Sequence, residues 1–142
     1  MPENDPFNLQ RFVDAQAPVY DQVLHELTDG HKTSHWMWFV FPQIRGLGFS
    51  PMSVRYAISG RDEAAAYDAH PLLGPRLHEC TALVNAVEAK TALQVLGPPD
   101  DLKFRSCVTL FAACAAEPAV FHEALEKFFG GKVDERTLAL LR

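Results

Sequence analysis

The chain predicts an all-α fold, a single-domain array of about eight short helices, and three observations carry that expectation. Apolar residues recur at helical period in almost every segment. Pro and Gly fall at the joints between those segments. No alternating apolar–polar pattern persists beyond a few residues, so strands have no support.

Asp5 followed by Pro6 reads as an N-cap with proline at the first helical position. Phe7, Leu9, Phe12 and Val13 supply that helix with an apolar stripe. Ala17-Pro18 breaks it and starts a second helix, with Val19, Tyr20, Val23, Leu24 and Leu27 on one face and Gly30 as its C-terminal cap. Ser34 is the expected cap of a short buried helix that runs to Phe41 and is ended by Pro42. This run is apolar on all sides, so its period alone also allows a strand.

Pro51 to Ile58 reads as a short helix. Arg61 to Ala69 follows, with Asp62 and Glu63 in the first turn, where acidic groups suit the helix dipole. His70-Pro71 is a break. Leu72 to Val87 then forms a longer helix, despite Gly74-Pro75 near its start. Thr91 to Leu96 is a short helical piece closed by Gly97-Pro98-Pro99, and Asp100 is the expected cap of a helix reaching about Ala116. Pro118 opens the next helix, Gly130-Gly131 ends it, and Asp134 caps a terminal segment carrying Leu138 and Leu141.

The 142 residues fit one globular domain spanning 1–142. An apolar fraction of 48% and a charged fraction of 22% are ordinary for a water-soluble chain. The net charge of −5, without any Lys/Arg run, argues against nucleic acid as a partner. No apolar run approaches the ~20 residues that span a bilayer, so no membrane partner is expected. Three cysteines without Cys-x-x-Cys spacing, and an N-terminus without basic start or apolar run, give the cytoplasm as the expected location.

Chemistry-bearing residues gather beside the helix breaks. In Ser34 to Gln43, two tryptophans and two phenylalanines stand among polar groups. They read either as core or as the wall of a ligand pocket. In the second case Trp38 stacks, while His35 and Gln43 supply hydrogen bonds. Gly46-Leu47-Gly48 lacks the spacing of a dinucleotide or Walker loop. Lys103 and Ser106 lie three apart on one helix face and are candidates to grip a phosphate or carboxylate. Arg76 is a natural anion fork, and His70 sits at a helix end. No metal-ligand spacing and no cofactor motif occurs, so neither a metal nor a cofactor is expected.

Several of these stretches carry a resemblance. They are Asp5-Pro6-Phe7-Asn8-Leu9, Ser34-His35-Trp36-Met37-Trp38-Phe39 through Phe41-Pro42-Gln43, Gly46-Leu47-Gly48, and His70-Pro71-Leu72-Leu73-Gly74. Asp101-Leu102-Lys103, Ser106 and Thr109-Leu110-Phe111 complete the set. Together they resemble a bacterial family of small proteins of unknown function, family 1810, over nearly the whole chain. The resemblance implies a compact all-helical domain and carries no established activity. Some family members bear the label calpastatin, which disagrees with this chain: such an inhibitor is disordered and repeat-bearing, and this sequence is neither.

The leading functional expectation is a small anionic or nucleotide-like ligand in an aromatic-lined cleft. Trp38, Gln43, Arg76, Lys103 and Ser106 would bind it, and His35, His70 and Asp101 are the candidates for proton transfer. One alternative is a hydrolase or glycosidase-like enzyme using His with Asp101, although paired carboxylates at a glycosidase spacing are not evident. Another is a non-enzymatic interaction module presenting an apolar patch from Phe121–Phe129 and Leu138–Leu141, with no particular protein partner indicated.

Overall fold

The computed structural model describes residues 5–141. Among them the chain forms ten helices, joined by short turns, and no strand beyond one isolated parallel bridge between Ile44 and Ile58. They are α1 (Gln10–Gln16), α2 (Tyr20–Thr28), α3 (Met37–Val40), α4 (Pro51–Arg55) and α5 (Arg61–Ala69), then α6 (Leu73–Asn85), α7 (Ala92–Leu96), α8 (Asp100–Cys114), α9 (Ala119–Phe129) and α10 (Glu135–Leu141). The all-α expectation holds. There are ten helices rather than about eight because short pieces such as α7 and α10 close helical turns of their own. A full capping box starts α7: the Thr91 hydroxyl accepts from Gln94 N–H, and the Gln94 side chain accepts from Thr91 N–H.

The longest helix, α8, is the axis of the molecule and packs against α5, α7, α9 and α10. Phe104 and the unbroken run Ser106–Phe111 are all buried. A helical stretch buried over six consecutive residues has no solvent face there, so its neighbours wrap it. Aromatic rings extend this core in both directions. Phe104 meets Phe41 edge-on at 5.0 Å, and Tyr67 meets Phe12 edge-on at 5.0 Å and lies 5.5 Å from Phe111.

Three caps differ from expectation. Asp5 does cap the first helix, but from further upstream: its carboxylate accepts the Leu9 and Gln10 N–H groups, and Pro6-Phe7 forms a turn. Asp100 lies inside α8 without a side-chain capping bond. Ser34 caps nothing, because its hydroxyl donates to Glu26 and α3 begins only at Met37.

The apolar patch expected near the C-terminus is not formed. Phe121, Leu125 and Leu141 are buried, Phe128, Phe129 and Leu138 pack against the core, and Leu140 alone of this set is exposed. Among the described residues, no helix is long and apolar enough to cross a membrane.

Candidate functional site

A buried carboxylate shapes the aromatic block. Glu26, on the inner face of α2, is only 3% exposed. Its Oε1 accepts the Thr33 and Ser34 N–H groups and the Trp36 indole N–H, at 2.8, 3.0 and 3.0 Å. Its Oε2 accepts the Ser34 hydroxyl and the Gln22 amide. Burial pushes this carboxyl up, but the bonds donated by Ser34, Gln22 and Thr33 outweigh it and hold the group well below the usual carboxylate range. The turn so clamped sends Trp36 into the core at 1% exposure, leaves His35 exposed and half-buries Trp38.

Trp38 and His35 line a hollow of about 360 Å³, together with Met37, Pro98, Pro99 and Lys103. Lys32 also reaches it, with Nζ 2.8 Å from the Asp100 carboxylate, so those two charges cancel. The Lys103 ammonium sits 5.3 Å from the centre of the Trp38 ring and 3.9 Å from Asp100.

A second hollow, of about 440 Å³, shares Pro99 and Lys103 with the first. Gln43, Ser53, Arg105, Ser106 and Arg136 line it, with Asp134 as its one carboxylate. The backbone at Gln43 is pinned, since its carbonyl accepts from Ile58 N–H at 2.8 Å, and the residue lines the hollow. Ser106 donates to Asp134 at 2.8 Å, and Arg105 donates to the Lys132 and Val133 carbonyls. The lining of this hollow thus holds three cations, Lys103, Arg105 and Arg136, and one carboxylate, Asp134, which is occupied by hydroxyl donors.

His35, Trp38, Gln43, Lys103 and Ser106 thus stand along one groove beside α8. His70, Arg76 and Asp101 do not join them. The His70 Nδ1 accepts from Leu72 and Leu73 N–H and caps α6. Arg76 stacks over the Tyr20 ring at 4.3 Å and donates to Gln16. Asp101 is not among the residues lining either hollow.

Sequence reading missed a His–Asp pair. His78 Nε2 lies 2.8 Å from Asp68 Oδ1, and Asp68 Oδ2 accepts from Ala116 N–H. The pair borders a third hollow, of about 500 Å³, with Cys114 on its wall. It ties α5 to α6 and to the turn after α8, a structural role for both side chains. Ten residues and a break separate the partners, so no spacing rule points to them. The thiols are poor nucleophiles here: burial raises all three, Cys80 to about 12. Among the described residues no three His, Cys, Asp or Glu side chains converge to hold a metal ion.

No curated protein matches the chain. Among solved structures, the conserved hypothetical protein Rv1873 from Mycobacterium tuberculosis is 58% identical. Its crystal structure superposes with a TM-score of 0.95 over 96% of this chain and 98% of that one. A family model described as "Protein of unknown function (DUF1810)" matches residues 6–141. The resemblance carried by the aromatic block thus extends over almost the entire length, and the chain belongs to this family.

Proposed function

We propose that the protein binds a small anionic ligand in the groove beside α8. One observation carries this reading: a chain of net charge −5 gathers Lys103, Arg105 and Arg136 around a single hollow that holds one carboxylate. Cations gathered on a concave wall attract an anion more strongly than the same charges scattered over the surface. Gln43 and Lys103 offer donors that the fold does not use up, and Ser53 adds a hydroxyl. The start of α8 contributes little to the attraction. Its Asp101, Leu102 and Lys103 N–H groups already donate to Gly97 and Pro99, and two aspartates occupy its first turn.

A thermal-shift screen against phosphates, sugar phosphates and carboxylates tests the proposal. A ligand at a hundred times its dissociation constant adds ~2.7 kcal/mol to stability. Arg136→Ala is expected to abolish that gain while leaving the free protein's melting temperature nearly unchanged, because Arg136 is exposed. A panel that stabilises nothing sinks the reading. So does a ligand bound equally well by Arg136→Ala and Lys103→Ala.

A further inference from the structure

We infer that the ligand has two parts, an uncharged flat heterocycle and a phosphate, and that the groove takes it in a fixed direction. This rests on the groove binding an anion at all, and it goes further by assigning each hollow a different chemistry. In the first hollow Lys32 and Asp100 pair with each other, Lys103 is the one further cation, and the walls include Met37, Trp38, Leu96, Pro98 and Pro99 with the His35 imidazole. The second carries the excess of cations. A phosphate finds more cations in the second, and a flat ring finds an indole to stack on only in the first. A nucleoside phosphate has both halves and needs both hollows, each within the range of about 300–1,000 Å³ that ligand pockets span.

Lys103 is the hinge between the two. Its ammonium rests over the Trp38 ring at 5.3 Å, and its nearest carboxylate oxygen is 3.9 Å away on Asp100. Both contacts are weak, and the flexible stem of lysine lets the head group move. A phosphate in the second hollow draws the ammonium toward itself and uncovers the indole for a heterocycle to stack on. The phosphate therefore lies toward Arg136 and the ring toward Trp38, with the sugar beside Pro99 and Lys103. His35 and Gln43 stand at opposite ends as hydrogen-bonding groups for ring and phosphate respectively.

Calorimetric titration with adenosine 5′-monophosphate, adenosine, ribose 5-phosphate and inorganic phosphate tests the assignment. The nucleoside phosphate is expected to bind at least about tenfold more tightly than any of the three fragments. Arg136→Ala should reduce its affinity to that of adenosine and leave adenosine itself unaffected. Binding should also change tryptophan emission in the wild type far more than in Trp38→Phe, because Trp36 is 1% exposed and lines neither hollow. Ribose 5-phosphate or phosphate binding as tightly as the nucleotide overturns the two-part ligand while the anion site stands. Nucleotide binding with unchanged Trp38 emission overturns the assigned direction. If none of the four binds, the inference fails; it is the wider anion panel that then decides the reading beneath it.

Discussion

Glu26 is a buried carboxylate held by uncharged hydrogen-bond donors. Three N–H groups, one hydroxyl and one amide serve it. Glu26→Gln puts an amide where acceptors are required and leaves at least one donor facing another donor. We expect a loss of about 3 kcal/mol by chemical denaturation. Its folded-state carboxyl lies below the unfolded value, so its contribution is fully present above the unfolded pKa of about 4.3 and declines as pH falls below that, toward the lower folded value. Stability profiles of wild type and Glu26→Gln should therefore converge at low pH, and parallel profiles would contradict the role given to this residue. The position could not be read from the sequence. A glutamate on an amphipathic helix looks solvated until the turn seven to ten residues later folds back over it. His35, Trp38 and Gln43 were legible because aromatic and amide groups crowd against a proline break. Arg76 misled, because it stacks on Tyr20 and donates to Gln16 instead, and Asp101 lines neither hollow.

At the scale of elements, the termini of the helices were the legible part and the ties between helices were not. Pro, Gly and Thr mark ends by local chemistry, as at Thr91, where hydroxyl and backbone meet within one turn. Arg11 works over a longer range. Its guanidinium donates to the Phe7, Asn8, Arg55 and Ala57 carbonyls and pairs with buried Glu63 at 2.9 Å. It fastens α1 to the α4–α5 connection. A lysine reaches one or two of these acceptors and cannot fork, so Arg11→Lys should cost about 2 kcal/mol of unfolding free energy, most of the loss in Arg11→Ala. A similar constraint sets the α5–α6 elbow. A Cβ on Gly74 would stand 2.0 Å from the Asp68 carbonyl oxygen, which is backbone and cannot swing away. Gly74→Ala is expected to lower stability by about 2 kcal/mol or more, measured in the same denaturation series.

At the scale of the whole molecule, α8 has two duties. Its buried faces hold Phe104, Cys107, Val108, Leu110 and Phe111 against helices on several sides, and Lys103 and Ser106 border the groove. Amide exchange should be slowest along Cys107–Phe111 and should approach the rate set by global unfolding. Faster exchange there than in α6 would argue against α8 as the axis. The fold class was open to sequence reading because helical period is a local signal. The groove was only half open to it, since Gln43 lies in a loop, Lys103 on α8 and Arg136 on α10, and only tertiary packing brings them together.

The shared position of α8 also decides how a bound molecule is felt. A groove walled by a loop can open while the rest of a protein stays closed, and a ligand there protects only its surroundings. Here one wall is the central helix itself, so the groove is lost chiefly when the core is lost. Occupancy and global opening would then be linked events, and a ligand held at Lys103 would be expected to slow exchange as far away as Phe111 without touching it.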